Sequence, residues 1–530
     1  MERKFVHILR DETKKRKWIP YVLFFIFAMY FFGILQLNYK FLDPDSFYHA
    51  KMAELMKEHG IIREFPWLPY TILQESFTDH HLLYHVALIP FILFLPPLMG
   101  LKLATVVFSS LTIVVLYWFF KKIGIRGAWF FVLLSIFDSS FIFRLNLAKA
   151  QALAISNFFL VYYFVIKRKL VLLFIFSFLY VWLYGGWPLV LILVFFDIIS
   201  KIPEVFEKRV LTKKYHLNRE KLRQKIRADI QLVAVACSGL VSGIVINPYF
   251  PKNLIFYWNQ TVKIALLNYQ SSIGVGNEWS PYAPFELITN SSIAIIMLIV
   301  AVTFLVINIK KRNSLVINLF LSTLLFFILT MKSRRNVEYL IPCMLAFSGA
   351  ALTAIFQEYS AKNLWQEFRI FLKEQKIFLF ALVIPAIMLP YIIARDYVYV
   401  IRYYNQGLEF DKYKGAMGWL KENSAAGAIV FHSDWDEFPN LFYHNSHNYY
   451  IVGLDTRFFF GKNPELYGKW DRITRGQEIE KIYPIIKEDF KAGYVFVDIK
   501  RHEDMDKNLQ NNFKFKEVYK DDDTKIYQVL

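Results

Sequence analysis

Basic loops that return to one side of a long series of apolar runs constrain this chain more than any other feature. The runs lie near 18–37, 103–120, 126–142, 150–166, 170–186, 187–200, 230–247, 288–308, 315–331, 337–356 and 377–394. Each approaches the roughly 20 residues that a helix needs to cross a bilayer. Between them fall Lys121-Lys122…Arg126, Lys167-Arg168-Lys169, the segment Lys201 to Arg227, Lys310-Lys311-Arg312 and the segment Lys362 to Lys376. Alternate crossings put all five on the same side as Arg3, Lys4, Arg10 and Lys14 to Lys17, which the positive-inside bias assigns to the cytoplasm. The chain therefore reads as a polytopic α-helical membrane protein of about 11–13 transmembrane helices, integral to a cell or inner membrane. Segment 81–99 would invert this parity by crossing fully, and it is broken by Pro90, Pro96 and Pro97. It is expected to be re-entrant or interfacial, with a crossing helix paired with a second unread one as the alternative.

Composition agrees. Hydrophobic residues make up 56% of the 530, too many for a soluble core of this length. A net charge of +18 would suggest a nucleic-acid partner in a soluble protein, but here the cations sit in the short loops, so nucleic acid is excluded as the reading. Cys237 and Cys343 both lie in apolar runs, which excludes a disulfide framework and a cysteine zinc site. No small-residue cleavage site follows Trp18 to Leu37, so that run is expected to remain as the first helix.

Two domains are expected. Residues 1–394 form the transmembrane part, with external loops 40–102 and 248–286. Residues 395–530 are richer in charge and alternate short strand-like runs (428–432, 449–453, 494–498, 525–529) with helical patterns near 411–422 and 476–490. This reads as a small extracytoplasmic α/β domain.

The external loops hold the ionisable groups of interest. Phe41-Leu-Asp-Pro-Asp-Ser-Phe-Tyr-His49 carries Asp43, a candidate catalytic anchor, although Asp43-Pro44 also makes a good helix start. Asp79-His80-His81 offers metal or proton-handling groups, against a reading as solvated turn residues. In loop 248–286, Gly274-Val-Gly276 precedes Glu278-Trp-Ser-Pro-Tyr282, consistent with a lid or with an interfacial aromatic anchor. Lys332-Ser-Arg-Arg335 places three cations at an external helix end, where a lipid phosphate is the expected partner.

Taken together, these motifs resemble the oligosaccharyltransferase catalytic-subunit family, membrane glycosyltransferases of the GT-C fold, at the distance of a remote member. Asp43-Pro44 with Tyr48 and His49 resembles the family's first acidic motif, and Arg144 to Gln151 falls at its second. Trp182-Leu-Tyr-Gly-Gly-Trp187 is similar to a Trp-Gly-Gly signature, and Ser433 to Phe438 falls at the WWDYG motif. The resemblance implies transfer of a sugar or oligosaccharide from a polyprenyl-phosphate or pyrophosphate-linked donor to a protein or glycan acceptor on the extracytoplasmic face, amid membrane lipids. It implies Asp43 and Glu278 as catalytic residues, Arg334 and Arg335 as donor-phosphate ligands, and Trp435 and Asp436 as acceptor-binding residues. A divalent metal, Mg or Mn, is expected at Asp43 and Glu278 with His80 or His81. The chain departs from the pattern at the second acidic motif, where Lys149 and Gln151 stand and no carboxylate occurs between Asp138 and Asp197. Lys149 is read there as a donor-phosphate ligand that replaces part of a metal's charge. In the WWDYG position only Trp435-Asp436 match. The alternatives are a non-catalytic or differently specific GT-C homologue in cell-surface glycan assembly, and an anionic-lipid transporter.

Overall fold

The computed structural model describes residues 17–208, 215–259, 276–359, 366 and 376–530. The cationic N-terminus up to Arg16, residues 209–214 of the Lys201 to Arg227 segment, loop residues 260–275 with Gly274, and most of the Lys362 to Lys376 loop lie outside them.

A helix occupies each of the apolar runs. Among the described residues, Pro97–Lys122, Arg219–Val245, Ser314–Lys332 and Arg334–Ile355 are long and apolar enough to cross a membrane singly. Two further helix pairs reach the same apolar length only together and are sharply bent. Ala128–Ile136 and Ser139–Asn146 meet at 73°, and Pro284–Asn290 and Ser292–Ile307 at 93°. The first break has a local cause: Asp138 caps the second helix, accepting from the Phe141 N–H at 3.2 Å, so the chain turns instead of continuing. Shorter apolar helices such as Gln151–Ile166 and Leu170–Leu183 complete the bundle. Close approach is possible where side chains vanish. A Cβ at Gly239 or Gly243 would lie 2.6 Å and 2.8 Å from the Phe174 and Phe178 carbonyl oxygens, so Arg219–Val245 seats directly on Leu170–Leu183.

The proline-broken segment 81–99 resolves into a short helix, Leu82–Ile92, and the start of the long one. Pro97 sits in the first turn of Pro97–Lys122, where its missing N–H costs no helical hydrogen bond. The long helix thus begins about a turn and a half before the apolar run read from 103.

Helix Lys376–Asn405 runs unbroken past residue 394 into the second part of the molecule. There a five-stranded mixed sheet has the order Tyr449–Tyr450, Ile429–His432, Tyr494–Asp498, Thr524–Val529, Phe515–Lys520. Ile429–His432 pairs in parallel with both of its neighbours, and the last two pairings are antiparallel. In sequence the chain goes from Ile429–His432 first to one side of that strand and then to the other. The carboxyl ends of Ile429–His432 and Tyr494–Asp498 therefore flank a topological switch point, the position at which open α/β sheets bind ligands. A two-residue antiparallel pairing of Lys40–Phe41 with Leu408–Glu409 ties the first external loop to this domain.

Candidate active site

Asp43 begins the site. Its Oδ1 accepts from the Asp45 N–H at 2.9 Å and so opens helix Asp45–His59, while Oδ2 is left to meet Lys149 Nζ at 2.6 Å. One carboxylate thus both accepts from the first helical N–H and pairs with an ammonium. The ammonium comes from the non-helical link between Ser139–Asn146 and Gln151–Ile166, which the bend at Asp138 carries toward the first loop. Lys149 also lies 2.8 Å from Asp45 and 3.7 Å from Glu278.

Glu278 stands on a short 3-10 turn, Asn277–Trp279, locked to the turn ahead of Val337–Ile355. The Ser333 hydroxyl donates to the Glu278 carbonyl at 2.9 Å, and the Arg334 N–H donates to the Ser280 carbonyl at 3.0 Å. The Glu278 carboxylate accepts from Arg144 Nη1 at 2.6 Å and lies 3.9 Å from Arg335 Nη2. Arg144 also grips the buried Glu338 at 2.8 Å. Four carboxylates thus meet three cations in one continuous network.

Burial pushes Asp43 up to about 6, with Lys149 opposing and the carboxylates of Asp45 and Glu278 adding to the rise. Burial works the same way on Glu278, but Arg144, Lys149 and Arg335 outweigh it and hold that carboxyl well below its ordinary range. For Lys149, burial disfavours the charge and is overcome by Asp43, Asp45 and Glu278, which keep the ammonium protonated.

The network sits between two cavities. The larger, about 500 Å³, is lined by Asp43, Arg144, Arg334, Tyr403, Trp435 and Arg501, among others. The smaller, about 140 Å³, is lined by His49, His80, His81, Tyr184, Gln151 and Arg335. Asp45, Lys149, Glu278 and Trp279 border both. The two adjacent arginines therefore serve different spaces. Arg334 pairs with Glu286 at 3.1 Å and lies over the Tyr282 ring, whereas Arg335 lies over Trp279 at 4.4 Å and donates to the Tyr184 hydroxyl at 3.2 Å.

The four residues expected to share a metal are divided in the same way. Asp43 and Glu278 converge on the Lys149 ammonium, while His80 and His81 line the smaller cavity with their ring centres 3.8 Å apart and the rings tilted at 42°. His81 Nδ1 is 3.2 Å from the Leu183 carbonyl, and burial drives this imidazole down to about 3. Among the described residues no group of three or more His, Cys, Asp or Glu is arranged to hold a metal ion. The residues present do not fit a divalent ion.

Across the larger cavity, Asp434, Trp435 and Asp436 follow strand Ile429–His432, and Arg501 follows Tyr494–Asp498. Arg501 bridges Asp434 at 2.7 Å and Asp436 at 2.8 Å. Trp435 faces Gly276, where a Cβ would touch its ring at 3.5 Å, so this end of the second external loop meets the sheet domain.

Several partners were not read from the sequence. Asp45 is two residues from Asp43, so its place in the same acidic stretch was an available signal, whereas Glu338 pairs with Arg144, 194 residues away, and carried none. Arg501, 65 residues beyond Asp436, carried none. Asp79 of the Asp79-His80-His81 cluster points elsewhere: its Oδ2 bonds His85 Nδ1 at 2.6 Å, and His85 Nε2 meets His49 Nδ1 at 2.7 Å. That buried chain joins helix Asp45–His59 to Leu82–Ile92.

No known sequence family matches this chain, and no curated protein matches it by sequence. Solved structures do. The archaeal oligosaccharyltransferase AglB from Archaeoglobus fulgidus, in complex with an inhibitory peptide and a dolichol-phosphate, superposes with a TM-score of 0.60 at 13% identity, over 97% of this chain and 74% of that one. The chain has the GT-C fold. ArnT from Cupriavidus metallidurans, bound to undecaprenyl phosphate, gives 0.55 at 13% identity over 97% and 98% of the two chains. The arabinofuranosyltransferase AftD from Mycobacteria gives 0.57 at 11% identity, over 97% of this chain and 40% of that one. The GT-C arrangement of an apolar helical bundle with a C-terminal sheet domain makes this an integral membrane protein whose two charged cavities lie where bundle and sheet domain meet.

Proposed function

We propose that this chain transfers a sugar or oligosaccharide from a polyprenyl-phosphate or pyrophosphate donor to an acceptor on the extracytoplasmic face. The observation that carries the reading is the larger cavity, which unites a carboxylate with its pKa raised, an arginine and aromatic side chains at the edge of an apolar bundle. Tyr399 and Tyr403, 42% and 46% exposed, line the same cavity from helix Lys376–Asn405 and suit the path of a polyprenyl tail. The lipids and peptide bound by AglB and ArnT support the same class of donor and, for AglB, a peptide acceptor.

In this reaction the acceptor's nucleophilic atom bonds to the donor's anomeric carbon as the bond from that carbon to the phosphate oxygen breaks. The phosphate leaves with the electron pair. Asp43 takes the acceptor's proton, a task suited to a carboxyl whose pKa of about 6 keeps it ionised at neutral pH yet basic enough to matter. Arg334, and Arg335 from the other cavity, stabilise the charge that develops on the leaving phosphate. Glu278 orients rather than titrates, since its three cationic neighbours keep it ionised. Asp436 and Trp435, set by Arg501, form the acceptor side.

Both cavities lie on one side of the bundle against the sheet domain, which favours transfer over the midplane binding that alternating access demands. A transfer assay in membranes with labelled polyprenyl-linked glycan tests the reading. Asp43→Asn and the double change Arg334→Ala/Arg335→Ala are each expected to slow transfer by about 10²-fold or more. Product equal to wild type from all of them overturns it.

A further inference from the structure

The second acidic motif holds a lysine where a cation-binding carboxylate is expected, and its ammonium ends among the carboxylates that remain. We infer that Lys149 is this enzyme's resident cation: it holds Asp43, Asp45 and Glu278 together in place of a divalent metal, and transfer proceeds without one. The inference rests on the transferase reading and specifies its cofactor requirement.

The geometry carries it. Lys149 Nζ lies within hydrogen-bond distance of Asp43 and Asp45, at 2.6 Å and 2.8 Å, and forms a longer ion pair with Glu278 at 3.7 Å. Its side chain is only 10% exposed, so the position is built into the fold and not reached by a mobile surface lysine. Mg²⁺ demands near-octahedral oxygen ligation at about 2.0–2.1 Å, and an ion set among the same oxygens would stand against the fixed positive charge. The two imidazoles that could enlarge its shell line the smaller cavity, and His81 is committed to the Leu183 carbonyl. No carboxylate between Asp138 and Asp197 is available to take the lysine's place.

A lysine and a metal do different things for the reaction. Lys149 is a positioning residue: two of its donors reach Asp43 and Asp45, Glu278 adds its charge from 3.7 Å, it keeps its proton throughout, and it fixes Asp43 for the acceptor. Charge on the leaving phosphate then falls to the arginines, with no Lewis acid sharing it.

The test uses the purified full-length chain with two readouts. Mn²⁺ binding is followed by electron paramagnetic resonance in wild type and in Lys149→Asp, which converts the ammonium into a fourth carboxylate. Wild type is expected to bind no Mn²⁺ at concentrations that load Lys149→Asp with one ion. Transfer from lipid-linked sugars extracted from native membranes is measured in EDTA and in Mg²⁺, with wild-type rates expected to agree within about twofold. One equivalent of Mn²⁺ bound to wild type overturns the inference, whether or not transfer is detected. Transfer that stops in EDTA and returns with Mg²⁺ also overturns it, while leaving the proposed reaction standing. If Lys149→Asp does not fold, the wild-type titration and the EDTA comparison still decide. If no condition gives transfer, the proposed reaction fails and the Mn²⁺ titration alone judges Lys149.

Discussion

Two ion clusters face each other across the larger cavity, and they are built differently. In the bundle, Lys149, Arg144 and Arg335 are knotted with Asp43, Asp45, Glu278 and Glu338, with the Arg144–Glu338 pair 5% and 1% exposed. In the sheet domain, Arg501 spans Asp434 and Asp436 with its own side chain 42% exposed. A buried network cannot be opened without stranding charge, whereas a solvated one exchanges its partners for water at little cost. The bundle cluster is therefore rigid, and the sheet cluster can exchange its partners, as the proposed acceptor site would require.

The largest effect should come from the deepest pair. Arg144→Met leaves Glu338 buried without its partner, and a loss of about 3–5 kcal/mol is expected, read as a lower Tm in detergent. Arg144→Met/Glu338→Leu should recover part of it, because Glu338 is no longer stranded while Glu278 keeps Lys149 at 3.7 Å and Arg335 at 3.9 Å. A double variant as unstable as the single one would show that the pair is not what holds this region.

Next in size is the chemistry. Asp43→Asn keeps the oxygen that accepts from Asp45 N–H, so folding should survive while the rate falls by about 10²–10⁴ through loss of the base. A circular-dichroism melt alongside the transfer assay separates the two outcomes. The same carboxyl sets a pH dependence. Its folded value of about 6 lies above the ordinary 3.8, so transfer should decline as pH falls through 6 and Asp43 takes up its proton. Stability moves the other way for this group. The folded state holds the proton more tightly, so the contribution is complete below 3.8 and is lost as pH rises through 6. Glu278, held low, has the opposite sign: its stabilisation is present above the ordinary carboxyl value and is lost only on deep acidification. A transfer rate flat from pH 5 to 8 would remove Asp43 as the base.

The sequence made the bundle cluster more legible than the sheet cluster, and the reason is physical. Apolar run length and basic-loop parity report on each helix separately, so the bundle could be read span by span. Asp43, Lys149, Glu278 and the arginines all stood at helix ends or loops where a charge near the membrane calls for a partner. Which partner each took depended on a 73° bend that no periodicity announces. Proline was read as a breaker at 96 and 97, although a proline in the first turn starts a helix as readily as it ends one. In the sheet domain, the runs 428–432, 449–453, 494–498 and 525–529 mark four of the strands, observed at Ile429–His432, Tyr449–Tyr450, Tyr494–Asp498 and Thr524–Val529. Phe515–Lys520 was not marked, because an edge strand that carries Lys516, Glu517 and Lys520 looks like a loop in composition. Arg501 could not be placed at all without the parallel pairing of Ile429–His432 with Tyr494–Asp498, which brings the two strand ends side by side.

The smallest stability effect is the most informative about that second cluster. Arg501→Ala removes a half-exposed bridge, so unfolding should change by only ~0–1 kcal/mol. Its functional effect should be selective. Burial already lifts the Asp436 carboxyl above its ordinary range, with Arg501 the chief force opposing the rise. Without the guanidinium, Asp436 loses both its orientation and part of its charge, and acceptor recognition at the strand ends should weaken. The expected result is a raised KM for acceptor with the KM for lipid-linked donor unchanged, since the arginines assigned to the donor phosphate belong to the bundle. A change in kcat with both KM values intact would place Arg501 with the rigid cluster, and the contrast between the two clusters would fail.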